Sequence, residues 1–140
     1  MHTRARHLID TLGLTPHPEG GWYRQVFKSE ERVTRLADGA QRSALTTICF
    51  LLVEGTFSAW HRVKSDEAWH FYEGDPIEVL TRAHEDDAPA ITRLDADQRM
   101  HVVRAHEWQA ARTLGDYTLV GCTVGPGFEF DDFEMKPGPI

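Results

Sequence analysis

Cysteine is scarce in this sequence: 140 residues contain two, Cys49 and Cys122, each inside an apolar, strand-like run. Two thiols so placed make neither a secreted disulfide framework nor a zinc knuckle, and both are expected to be small buried hydrophobes. Positive charge is also in deficit. Fifteen Lys and Arg against 22 Asp and Glu give a net charge of -7, which argues against nucleic-acid binding because phosphate affinity needs clustered cations. Long hydrophobic runs are missing, and nothing approaches the roughly 20 apolar residues that span a bilayer. The polar opening MHTRARHLIDTLGL lacks the apolar centre of a secretion signal. The expectation is a cytoplasmic protein with no membrane and no nucleic acid among its partners.

Repeats, low-complexity tracts and linkers are absent as well, so residues 1–140 are expected to form one domain. A 41% hydrophobic share with 26% charged residues is that of an ordinary globular chain. Its length suffices for a core without metal or disulfide staples. Ala5, Leu8, Ile9 and Leu12 recur at helical spacing, which predicts one short helix over Thr3–Leu12 with Thr3 as its N-cap and Gly13 as its stop. HPEGGW (His17–Trp22) reads as a turn leading into a strand, WYRQVFKS. The charged stretch EERVTRLADGAQR reads as a hairpin connection or surface loop. From Ser43 onward the chain is a succession of short runs rich in β-branched and aromatic residues, punctuated by Gly, Pro or Asp. That pattern predicts an all-β sandwich or barrel.

Residues Gly55–Gly74, GTFSAWHRVKSDEAWHFYEG, carry the most chemistry. Two strands are expected to pair through the Lys64–Ser65–Asp66 bend. Period-two alternation puts Phe57, Ala59, His61 and Val63 on one face, and Glu67, Trp69 and Phe71 on the facing one. If both sets point inward, an imidazole and a carboxylate meet among aromatic rings, where a carboxylate needs a partner or a proton. The plainer alternative for Glu67 is an ion pair with Arg62 or Arg24 at a strand end. Trp60, Trp69 and Phe71 suit a core, although barrel mouths also use such rings against ligands. His70 alternates away from Glu67. Tyr23, Arg24, Tyr72 and Tyr117 are strand residues able to offer a phenol or a guanidinium. HPEGG lacks the strand–helix setting of a phosphate loop, and Ser43 and Ser58 have no nucleophile elbow. The acidic tail FEFDDFEM lacks calcium-loop spacing and reads as a final strand with Phe128, Phe130 and Phe133 packed inward.

Gly55, His61, Glu67 and Gly74 stand at the spacing of the first cupin motif, and the chain resembles that superfamily from about Leu8 to Glu134. The wider strings HPEGGWYRQVF, WHRVKSDEAWHFYEGDP and YTLVGCTVGPGFEFDDFE resemble one uncharacterised cupin branch. The resemblance implies a single jelly-roll β-barrel with a short N-terminal helix, of the kind found in deoxyhexose sugar-nucleotide epimerases. It departs from the pattern at Val63, where the second histidine belongs. The second motif is eroded too, with Gln109 at its histidine position and Thr113 at its asparagine.

His61, Glu67 and Gln109 are thus the remaining metal donors, a set that suits a weakly held divalent ion at most, since an amide oxygen is a poor ligand for transition metals. Three functions follow. The first is a small-molecule-binding cupin, its ligand held by His61 and Glu67 with Tyr23, Arg24, Trp60, His70 and Gln109 around it. The second is a metal-independent epimerase or isomerase in which His61 is the base, Asp66 or Glu67 orients it, and Tyr72 or Tyr117 is the acid. The third is a metal-dependent dioxygenase or isomerase. Cupins commonly pair through N-terminal strands, so a homodimer using HPEGGWYRQVF is expected.

Overall fold

The computed structural model describes residues 1–136, 138 and 140. Its elements in chain order are α1 (Thr3–Leu12), β1 (Thr15–Pro16), β2 (Trp22–Lys28), β3 (Arg32–Thr34), β4 (Gln41–Ser43), β5 (Thr46–Val53), β6 (Phe57–Arg62), β7 (Asp66–Gly74), β8 (Ile77–Arg82), β9 (Ala90–Leu94), β10 (Met100–Val103), β11 (Trp108–Thr113), β12 (Tyr117–Gly125) and β13 (Glu134–Met135). Two antiparallel sheets face each other, one ordered β1-β2-β5-β12-β7-β10 and the other β13-β6-β11-β8-β9, with β3 and β4 as a separate hairpin. This is the jelly-roll sandwich that the spacing of short strands predicts.

The interior follows from alternation. Phe50 and Leu52 of β5, Trp69 and Phe71 of β7, Val120 and Cys122 of β12 meet Ile77, Val79 and Ala111 of the opposite sheet. The outer faces are covered differently. Helix α1 lays Ala5 and Leu8 on Leu51, Val53 and Leu119 of the six-stranded sheet. On the outer side of the five-stranded sheet, Trp60, Leu80, Trp108 and Ala110 pack together, with the Arg82 guanidinium 4.1 Å above the Trp60 ring. Cys122 is buried and Cys49 half-buried, both as free thiols.

Some details differ from the sequence reading. The helix occupies its expected residues and ends on Gly13 in the left-handed region, but its N-cap is His2, whose ring accepts from Arg4 N, and not Thr3. The charged stretch does form a hairpin, β3–β4. The tail is not a continuous strand: a 3-10 turn at Phe130–Asp132 precedes the two-residue β13, and Phe130 is half exposed. The acidic pair explains the difference, because Asp132 points into the protein to meet two guanidiniums, and an extended strand would carry it away from them. No helix among the described residues is long and apolar enough to cross a membrane.

Leu8 is the helix residue that couples α1 to the sheet, being 4% exposed. Leu8→Ala is expected to lower stability by about 2–4 kcal/mol through lost burial and a residual cavity. Urea denaturation measures this, and a loss near zero would mean that the helix does not contribute to the folded core.

Candidate functional site

The hairpin formed by β6 and β7 brings His61 and Glu67 into the barrel, but strict alternation does not survive in β6. Against β11, residues Ser58 and His61 pair with Ala111 and Gln109, so β6 carries one extra residue and bulges. The bulge turns Ser58 inward and leaves Phe57 and Ala59 on an open outer groove. His61 and Val63 line the interior cavity as expected.

The partner of His61 comes from elsewhere. Glu19, in the loop between β1 and β2, places its carboxylate against His61 Nδ1 at 2.8 Å and accepts from Ser58 Oγ at 2.6 Å. The loop is fitted to that task. Ala59 N donates to Glu19 O at 2.8 Å, and His17 N to Gly21 O at 2.9 Å. Gly20 lies at φ +110 with space for no side chain, since an added Cβ would come 2.1 Å from Phe57 O. Glu19 N donates to His17 Nδ1 at 3.1 Å, so that nitrogen carries a lone pair, and burial lowers the His17 pKa despite the neighbouring Glu19 charge. His17 is therefore a neutral wall residue, its ring edge-on to Tyr23 at 4.5 Å.

Glu67 is reached from the other side. Gln109, opposite His61 in the β6–β11 register, donates from Nε2 to Glu67 Oε1 at 2.9 Å while its Oε1 accepts from Trp69 Nε1 at 2.8 Å. Both ends of the amide are thus in use. Burial pushes the Glu67 carboxyl up to about 7, against the pull of the His61 charge. Burial alone would strip the proton from His61, but the Glu19 carboxylate, with Glu67 further off, outweighs it and pushes the imidazole up to about 9. Glu19 is also desolvated, yet His61, His17 and Ser58 hold its pKa below the ordinary value. At neutral pH the site is a closed ion pair, Glu19 with His61, beside a carboxyl poised between its two forms.

These groups face a cavity of about 40 Å³ whose other walls are Tyr23, Thr46, Ile48, Cys122, Phe128 and Phe133. Both close ring contacts of His61, to Ala59 O and Glu19, use Nδ1, which leaves Nε2 for an occupant. On Glu67, Gln109 holds Oε1, and the Cys122 thiol lies beside the carboxyl. The remaining sequence candidates lie elsewhere. Tyr117 donates its hydroxyl to Glu73 at 2.9 Å, beside Arg4. Tyr72 is 52% exposed and packs over Gly121. Arg24 donates to Leu12 O. His70 alternates away from the buried Trp69 and Phe71, and Trp60 belongs to the outer aromatic cluster. Among the named tyrosines, only Tyr23 lines the cavity.

Relatives of known structure share this architecture. The chain matches the family described as Cupin superfamily (DUF985) over residues 6–136. It belongs to that family. Its structure superposes on a hypothetical protein from Leishmania major with a TM-score of 0.87 at 29% identity, covering 94% of this chain and 86% of that one. A protein from Shewanella oneidensis gives 0.84 at 31% identity, with 94% and 84% covered. An oxalate decarboxylase from Lactobacillus farciminis, in complex with formate, gives 0.63 at 12% identity over 89% of this chain and 34% of that one, a likeness of fold alone. No curated protein matches the chain.

The cupin fold raises the question of a metal. The residues present too few donors for one: Val63 offers none and the Gln109 amide is committed to Trp69 and Glu67, which leaves His61 and Glu67, one short of the three protein ligands usual in a catalytic site. Among the described residues no cluster of three His, Cys, Asp or Glu is placed to hold an ion. What the arrangement can do is offer two buried proton-bearing groups to a small molecule.

The folded state holds the His61 proton more tightly than the unfolded chain, whose imidazole titrates near 6.5. The stabilisation from this pair is therefore complete below pH 6.5 and is lost as pH rises toward 9. Glu19→Gln is expected to flatten that slope and to lower the His61 titration, because only Glu67 and the Ala59 carbonyl then oppose burial. Histidine NMR titration of parent and variant reads this directly. An ordinary, Glu19-independent titration of His61 would refute the ion pair.

Proposed function

We propose that this chain is a small-molecule-binding cupin whose pocket, centred on His61 and Glu67, takes a compact carbonyl compound. The observation that carries the reading is the pairing of a protonated His61 with a carboxyl whose pKa lies near neutrality, both buried in one apolar cavity. Two groups that can donate favour an oxygen acceptor, and walls of Ile48, Phe128 and Phe133 favour an apolar remainder. Size is the second constraint. A cavity of about 40 Å³ has room for roughly three or four water-sized groups, about the size of acetone, well short of the roughly 150 Å³ that accepts benzene. A sugar nucleotide is far larger than this.

Acid–base catalysis on the bound compound is a second reading, and the position of Tyr23 in the cavity wall favours it. Glu67 in its ionised form would take a proton from the carbon next to the carbonyl, the protonated His61 would donate to the carbonyl oxygen, and Tyr23 stands as the acid in place of Tyr72 or Tyr117.

Ligand-observed NMR with acetone and hydroxyacetone tests the reading. Both are expected to bind, and Glu67→Gln is expected to weaken them about 10-fold by removing one charge-tuned hydrogen bond. Equal binding by the variant, or none by the parent between pH 6 and 8, would sink it. Loss of C–H signal from hydroxyacetone in deuterated water would add catalysis to binding.

The homodimer is proposed on the sheet edge. β1 has two residues and pairs only with Trp22 and Tyr23, so the rest of β2 is an open edge on which Val26 and Phe27 are 52% and 51% exposed. Such edges are normally covered. Light scattering is expected to give the mass of two chains for the parent and of one for Val26→Lys; a monomeric parent would end the idea.

A further inference from the structure

The cavity is walled by β-strands, by the loop that carries His17 and Glu19, and by a strap. After β12 the chain crosses the barrel mouth, where Phe128 and Phe133 line the cavity and the Phe133 ring lies 5.5 Å from that of His61. The strap has little ladder of its own: β13 pairs two residues with β6. It is held by Gly127 N donating to Ser43 O at 2.7 Å, by Phe128 N donating to Thr46 Oγ1 at 2.9 Å, and above all by Asp132. That carboxylate accepts from Arg35 Nη1 and Nη2 at 3.0 and 3.2 Å and from Arg42 Nε and Nη2, each at 2.9 Å.

All of these partners belong to one neighbourhood. Arg35 and Arg42 come from the β3–β4 hairpin, which joins neither main sheet, and Asp38 holds the far side of Arg35. The Arg35 and Asp132 side chains are 8% and 4% exposed. A charge group buried to that degree is stable only in company, so removing one partner strands the others. Lys28 with Glu129 and Arg62 with Glu134 add exposed ion pairs along the strap, so the Asp132 group is its buried fastening, and it ties the strap to a hairpin outside both main sheets.

We propose that the Asp132 latch makes this strap the specificity-determining wall of the pocket. Closed, it holds Phe128 and Phe133 across the mouth and keeps out anything larger than a compact molecule. Unlatched, it is the entrance. The proposal rests on reading the cavity as a ligand site, but its test needs no ligand.

Cys122 supplies the readout. Its thiol lines the cavity at 2% exposure, and burial, with Glu67 and Glu19 nearby, pushes its pKa up, so it reacts only when a wall opens. Cys49→Ser removes the other thiol. In that background, modification of Cys122 by methyl methanethiosulfonate and by the bulkier N-phenylmaleimide is followed under native conditions. Asp132→Asn keeps the side-chain shape and removes the charge, and is expected to accelerate both reactions about 10-fold or more, the usual scale for breaking a buried ion group. Arg42→Gln leaves Arg35 in place and is expected to give a smaller acceleration, which keeps the test open if Asp132→Asn folds poorly. Rates equal to the parent's in both variants overturn the proposal. So does acceleration that only follows the global unfolding rate measured in denaturant. Accelerated labelling without binding of acetone or hydroxyacetone would retire the carbonyl ligand and keep the gate; binding with unchanged labelling would do the reverse.

Discussion

Taking a carboxylate out of water into an apolar interior costs several kcal/mol unless a cation and donors meet it. Glu19 is such a carboxylate, and the site is arranged around meeting it. His61 supplies the cation through Nδ1, Ser58 a hydroxyl, and the bulge in β6 is what turns both toward it. The loop that delivers Glu19 is equally constrained, since Gly20 lies so close to β6 that no side chain fits. The ion pair then sets the state of His61, which it protonates, while burial keeps His17 neutral and pushes the Glu67 carboxyl up toward neutrality.

That arrangement gives a physical account of how this cupin departs from its superfamily's motif. A metal-holding cage needs neutral imidazoles with free lone pairs converging on one point. Here the surviving histidine has a carboxylate on Nδ1, the second histidine position is Val63, and the third is Gln109, clamped between Trp69 and Glu67. The positive charge at the centre is a proton on His61. A proton can be shared with a bound molecule, so the site is suited to hydrogen-bond donation and acid–base exchange.

The fold was legible because it is written in local periodicities: alternating apolar residues in β5, β7 and β12, helical spacing in α1, and glycines at Gly13, Gly55 and Gly74. Half of the site was legible too: alternation turned His61 and Glu67 inward, and the resemblance to the second cupin motif singled out Gln109. Glu19 was not, because it lies in a turn, where no period tells which way a side chain points; its only local signal is an acid between Pro18 and two glycines, and that pattern reads equally well as a solvated loop. The bulge at Ser58–His61 was hidden because it depends on the partner strand. Phe130 and Asp132 were misplaced for a third reason. Their apolar–acidic alternation imitates a strand, while the conformation is decided by guanidiniums 90 and 97 positions away.

Proton count links the two halves of the structure. With His61 holding its proton to about 9 and Glu67 to about 7, the group of Glu19, His61 and Glu67 carries between one and two protons at neutral pH. An occupant that accepts a hydrogen bond from Glu67 stabilises the protonated carboxyl and draws a proton in from solvent; one that donates to it drives the proton out. Either exchange needs a path to water, and Glu19 lies on one, because it borders both the cavity and an open groove of about 650 Å³ on the outer side of β6. The strap side of the cavity is closed by aromatic rings and a buried ion group, and the Glu19 side by a carboxylate that also borders the outer groove.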